Sequence, residues 1–268
     1  MRIPLADVGR RGRLDLTFSL QSDRTILRHS YCEVPFKITR FLSSSAPVAH
    51  LMLMHCTAGI FGGDDLECSI RVERGASVRI TQQSATKIHP SGGRVAKQNS
   101  HIIVERDAQL EFYLEPAIPF AESSLKQTTR IELQPGGRLM FWEAFMAGRI
   151  GRGERWRFNE LASETRLYSG DVLRYLDRFQ LPGGFERSPW AMANCGYLGT
   201  GIYGGPRAQH FAFALHEKMP EAGIDNPAPD VAVVRVVSGS GTDFRRCCDV
   251  FAAAHDICNS SELGCNSQ

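Results

Sequence analysis

Val72-Glu73-Arg74-Gly75-Ala76-Ser77-Val78-Arg79-Ile80, VERGASVRI, sets an apolar residue, two polar positions, a tight turn and a small residue before an alternating strand. The pattern returns as VERDAQLEF over 104–112 and as LQPGGRLMF over 133–141. The turn positions Gly75, Asp107 and Gly136 therefore recur at intervals of about 30 residues, the size of one layer in a stacked-strand protein. A strand–turn–strand unit of this kind buries its apolar face by stacking on its neighbours. The expectation is a mainly β chain with β-helix or solenoid-like stacked strands. A plain β-sandwich is the alternative arrangement.

Outward from these units the same period continues. Leu14, Leu16, Phe18 and Leu20 share one face of RLDLTFSL (13–20). Strand-like runs follow around 34–42, 48–55, 67–73, 76–82, 100–105, 108–114, 127–133, 138–145 and 164–181, punctuated by Gly, Pro and Asp. A clean 3.6-residue period is almost absent from the first 180 residues, which read as nearly all β. Beyond about residue 185 the character changes. SPWAMANCGYLGTGIYGGP (188–206) is small and Gly-rich, 207–218 suits a helix, and VAVVRVVSG (231–239) reads as a buried strand. Over 242–257, Phe244, Cys247, Cys248, Phe251 and Ala254 form one helical stripe behind a Ser/Gly/Thr cap region. The expected organisation is a β-rich stacked-strand domain (1–185), a smaller α/β portion packed on it (186–258) and a loose tail (259–268).

Composition narrows the function classes. The 268 residues suffice for one sizeable core, 43% are hydrophobic, and the net charge of +2 is too small to make nucleic acid the main partner. The basic start (Arg2, Arg10, Arg11, Arg13) reads as a solvated terminus. The first thirty residues hold no apolar signal-peptide core, and the most apolar stretch, 46–56, is about half a membrane span and carries His50 and His55. No membrane association and a cytoplasmic location are expected. The eight cysteines contain no CxxC pair, and Cys247 and Cys248 are adjacent, so zinc-ribbon spacing is absent and reduced thiols are expected.

Several stretches look chemical. HCTAGIFGGDD (55–65) offers a His, a Cys, glycines and two acids. Cys56 and His55 are neighbours on a strand and point to opposite faces, so they form no catalytic dyad. A metal-dependent hydrolase built on His55, Asp64 and Asp65 is one alternative to carry forward; a non-catalytic β-structured binding module is another. Gly199-Thr200-Gly201-Ile202-Tyr203-Gly204 has dinucleotide spacing, but Gly205 and Pro206 follow where a helix is required. LEPAIPF (114–120) places Glu115 before a Pro-framed strand exit, and SATKIHPSGG (84–93) places Thr86 and Lys87 at the end of another strand.

Two acids stand out because they sit in apolar rows. Glu143 shares a face with Leu139, Phe141 and Phe145, and the opposite face, Met140, Trp142 and Ala144, is equally apolar. Asp177 shares a face with Leu173, Tyr175, Phe179 and Leu181. Burying an ionised carboxylate costs several kcal/mol unless it is paired or reaches water. Either each meets an internal arginine such as Arg149, Arg174 or Arg178, or both line a water-filled path through the β layers.

Five ordered segments, HCTAGIFGGDDL (55–66), TQQSATKIHPS (81–91), LEFYLEPAIPF (110–120), RLMFWEAFMAGR (138–149) with RGE (152–154), and LDRFQL (176–181), resemble the urease accessory protein UreD family, called UreH in some bacteria. The resemblance runs from about residue 13 to 250. It implies a non-enzymatic, β-rich stack that binds the urease apoprotein on one side and a UreF-type accessory protein on another. UreF in turn carries the UreG-type GTPase that delivers nickel. It also implies a water-filled tunnel for nickel in transit, with no tightly bound cofactor. Carried over by position, the tunnel-lining residues are Asp64, Thr86, Glu143 and Asp177. Scattered oxygen donors hold Ni²⁺ weakly, as transit requires, whereas a cage of His and Cys would trap it.

Overall fold

A computed structural model of the chain describes residues 9–41, 48–184 and 195–254. The tail expected over 259–268, Arg2 of the basic start, residues 188–194 and the last positions of the 242–257 helix lie outside the described residues.

The described chain opens with two antiparallel hairpins, β1 (Arg11–Gln21) with β2 (Arg24–Cys32) and β3 (Phe36–Phe41) with β4 (Ala49–His55). Two coils follow: β5 (Asp65–Val72), β6 (Ser77–Gln82) and β7 (Thr86–Ile88), then β8 (Ala96–Val104), β9 (Gln109–Tyr113) and β10 (Ala117–Pro119). A third coil passes through β11 (Ser124–Leu133) and β12 (Arg138–Met146) into β13 (Glu160–Ser169), against which β14 (Val172–Pro182) folds back. β15 (Tyr197–Gly204), α1 (Ala208–Lys218), β16 (Gly223–Ala228), β17 (Val231–Ser238) and α2 (Gly241–Ala253) complete the fold.

Each coil contributes to both of two sheets, with the short β7 and β10 attached beside the main path of the second. The first sheet has the order β14-β13-β11-β8-β5-β1-β2 and is parallel from β1 to β13; the second runs β16-β17-β15-β12-β9-β6-β4-β3 and is parallel from β4 to β12. Antiparallel strands flank both parallel centres. Strand accounts for 56% of the described residues and helix for 12%, and the arrangement is solenoid-like, as the recurring units imply. The three turn residues adopt one left-handed geometry, with φ of 72° at Gly75, 58° at Asp107 and 77° at Gly136. Asp is among the few residues besides Gly that tolerate it. The turns also stack: Gly75 N donates to Arg106 O at 3.2 Å.

The two sheets enclose the main core, including Leu16, Phe18, Ile70, Ile80, Phe112 and Phe141. A second core lies between the outer face of the second sheet and the two helices, where Trp142, Tyr203, Phe211 and Phe251 pack. β12 is therefore buried on both faces, which accounts for a sequence apolar on both faces from Leu139 to Met146 except at Glu143. The outer face of the first sheet carries ion pairs instead, such as Arg71 with Glu105 and Lys126 with Glu160.

The structure departs from the sequence reading at several places, among them β16, which that reading did not include. The run 164–181 is a hairpin, broken at Gly170 and Asp171, and Leu173 is exposed beyond the bulge rather than sharing the buried face of Asp177. β2 escapes the pattern because most of its side chains face solvent at an edge. β7 and β10 are too short to show a period. The Gly-rich segment contains a central strand, β15, whose glycines have a packing reason: a Cβ at Gly201 would lie 2.6 Å from the Phe251 ring, and one at Gly199 would lie 2.7 Å from Trp142. The dinucleotide-like spacing thus lies within a strand pressed against α2.

Candidate functional site

The interior of the stack is apolar except for a belt of polar side chains that follows the strand registers. In the first sheet, Ser100, Thr129, Thr165 and Asp177 occupy one cross-strand row, and Gln98, Gln127 and Ser163 occupy the next inward row. The flanking rows are apolar: Ile70-Ile102-Ile131-Leu167 on one side and Ala96-Leu125-Leu161-Leu181 on the other. The second sheet matches this. Its row Ile80-Phe112-Phe141-Ile202-Val233 is apolar, and two residues further along the strands lie Gln82, Glu143, Thr200 and Arg235. Because the register repeats from coil to coil, these polar positions line up as a track at right angles to the strands.

Part of this track is open. A cavity of about 50 Å³ is lined by Gln82, Thr86, Gln98, Ser100, Gln127 and Glu143, with His55 and Cys68 also in its wall. That is room for a few water molecules and too little for an organic ligand.

Glu143 is 2% exposed. Its carboxylate accepts from Gln127 Nε2 at 2.7 Å and from Thr165 Oγ1 at 3.2 Å, both reaching across from the first sheet. Burial, reinforced by the negative charge of Asp177, raises its pKa to about 7. Asp177 is ion-paired with Arg235 of β17 at 2.5 Å, and the same guanidinium donates to the Tyr175 hydroxyl at 3.3 Å. None of the arginines anticipated from sequence takes part. Arg149 pairs with Glu154 and Arg178 with Glu164, and Arg174 lies 3.7 Å from Asp230. Arg174 lies three residues before Asp177 and Arg178 one residue after it, so β alternation turns both away from its face.

The other two sequence candidates are separated. Thr86 lies in the cavity wall and accepts from Gln82 Nε2 at 2.6 Å. Asp64 does not line that cavity. Its carboxylate is buried and accepts from the backbone N–H of Arg10 and of Phe61, each at 2.9 Å, which ties the 56–64 loop to the start of β1. The structure thus gathers Thr86, Glu143 and Asp177 along the belt and leaves Asp64 in a turn. Among the described residues no group of three or more His, Cys, Asp or Glu is arranged to hold a metal ion, so His55, Asp64 and Asp65 do not form a hydrolase centre there.

Sequence reasoning missed Gln98, Gln127, Thr129, Ser163, Thr165, Thr200 and Arg235. The signal was present: the inward face of β11 reads Leu125-Gln127-Thr129-Ile131-Leu133, two polar residues between apolar ones, and β8 and β13 repeat it. Arg235 likewise stands alone in the apolar VAVVRVVS strand.

The sequence matches the family described as UreD urease accessory protein over residues 10–264. It is similar to the urease accessory protein UreD of Deinococcus radiodurans, 32% identical over 196 residues that cover 72% of this chain and 70% of that protein. The UreD of Cupriavidus pinatubonensis is 28% identical over 238 residues, covering 84% and 81% respectively. That of Acaryochloris marina is 30% identical over 196 residues, covering 72% and 69%.

Proposed function

Because the chain belongs to the UreD urease accessory protein family, we propose that it is a non-catalytic urease maturation factor that passes nickel through its interior to the urease apoprotein. In this reading it acts in the cytoplasm and bridges urease to a UreF-type protein, through which a UreG-type GTPase supplies the metal. No described helix is long and apolar enough to cross a membrane.

The observation that carries the reading is the polar belt and the cavity along it, with Glu143 central. A permeating divalent cation needs donors that replace some of its water and then release it. Side-chain amides, hydroxyls and a single carboxylate whose proton is in play near neutral pH offer such donors. The metal is cargo, so no step requires a resident cofactor.

The test is co-expression of this chain, as wild type or with Glu143→Gln and Asp177→Asn together, with the urease structural subunits and the other accessory proteins. Nickel per urease active site and urease activity are then measured on complexes shown to assemble. Both are expected to fall by about tenfold or more in the variant, the scale of losing an essential charged contact. Full nickel loading by an assembled variant complex rejects the transit role.

A further inference from the structure

The cavity holds one group that the oxygen-lined path leaves unexplained. His55 ends β4 on the same inward face as Leu51 and Leu53, and its ring packs edge-on against Phe36 with centroids 5.2 Å apart. Its Nδ1 is buried and has no hydrogen-bond partner. Leaving a buried nitrogen unpaired costs about 1–3 kcal/mol, and the polar cavity that His55 lines is the space from which a partner would reach it. Burial also lowers its pKa to about 4, which leaves the imidazole neutral and its lone pair free at physiological pH.

The remaining strong donors nearby are committed or protonated. Glu115 is ion-paired with Arg245 at 2.7 Å, and burial pushes the Cys68 thiol up to about 12. β4 and β12 are three strand steps apart in the second sheet, which separates His55 from Glu143 by about 14 Å. One cation therefore cannot touch both at once, and the two groups lie at different stages along the track. Oxygen donors favour Mg²⁺ and Ca²⁺ as readily as Ni²⁺, whereas a neutral imidazole favours Ni²⁺ and its neighbours in the first transition row.

We propose that His55 is a nitrogen ligand for the transported cation at the β4 end of the cavity, where Ni²⁺ is told apart from Mg²⁺ and Ca²⁺. The proposal rests on the cavity being a nickel path. It places selection at the imidazole and leaves the carboxylate of Glu143 to relay whatever has been admitted.

The experiment uses the full-length chain with added Ni²⁺ as the probe, observed by X-ray absorption and challenged with excess Mg²⁺. The wild type is expected to show imidazole scattering around nickel and to keep its nickel against about a tenfold excess of Mg²⁺. His55→Gln, or His55→Phe where ring volume against Phe36 proves necessary for folding, should lose one imidazole from that signature and lose the preference. Glu143→Gln should retain the imidazole. Absent imidazole scattering in the wild type, or scattering unchanged in the folded His55 variant, overturns the proposal. Failure of the transit reading is distinct: urease would then load fully with Glu143→Gln, whatever nickel does at His55.

Discussion

Glu143 and His55 line one cavity, and burial moves their proton affinities in opposite directions. Glu143 titrates at about 7 when folded and near the ordinary glutamate value when unfolded, so between those pH values the folded state holds the extra proton. Its contribution to stability is fully present below the unfolded value and is lost as pH rises through 7. His55 titrates at about 4 when folded, so its unfolded state holds the extra proton between that pH and its ordinary value. Its contribution is present at neutral pH and is lost as pH falls toward 4. The two limbs oppose each other, and single substitutions should separate them. In urea unfolding from pH 4 to 8, Glu143→Gln should remove a decline of about 3 kcal/mol and leave stability rising between pH 4 and 6.5. His55→Gln should do the reverse, uncovering the decline toward pH 8 by removing a rise of about 2 kcal/mol, smaller because this ring is less completely buried. Parallel profiles for wild type and both variants would mean that neither group changes its proton affinity on folding.

β15 shows how one element joins the helices to the stack. Glycines at 199 and 201 bring α2 against the second sheet, with Phe244 and Phe251 meeting Trp142 at ring-centroid distances of 5.8 and 5.4 Å. Gly201→Val places its side chain in the Phe251 ring, and overpacking of this kind costs about 1–3 kcal/mol. The expected result is a lower unfolding midpoint together with a red-shifted emission of Trp142, as water reaches the indole under a displaced α2. An unchanged midpoint would show that the helix adjusts freely. The same strand marks where the sequence ceases to be legible. The solenoid could be read because VERGASVRI and its two relatives repeat their own turn chemistry within a few residues. β15 could not, since its glycines are poor strand formers locally and are explained only by aromatic rings some fifty residues away on either side, Trp142 before them and Phe244 and Phe251 after. The site divides in the same way. Glu143 was visible as an acid flanked on both faces by apolar residues, whereas its partners Gln127 and Thr165 sit on other strands and are joined to it only by the stacking of coils. Asp64 was placed on the path by resemblance alone, and what it holds is two backbone N–H groups.

Across the whole molecule, the pair Asp177–Arg235 links β14 at one edge of the first sheet to β17 near the matching edge of the second. It closes the polar belt at the end away from His55. An unpaired guanidinium there would present a positive charge to any cation moving along the belt, and Asp177 cancels it. Asp177→Asn alone should therefore lower nickel delivery to urease more than it lowers stability, because the Arg235 side chain is 36% exposed and water can solvate what the carboxylate no longer does. Adding Arg235→Met to Asp177→Asn removes the stranded charge, at a packing cost kept small because Met replaces most of the arginine stem. If charge governs passage, the double variant recovers most of the nickel content lost by Asp177→Asn, although it has lost both halves of the ion pair. If the pair serves only to hold the two sheets together, the double variant is no better than the single one, and unfolding midpoints track nickel content in both. Measuring urease-bound nickel and the unfolding midpoint on the same three proteins separates an electrostatic gate from a strut.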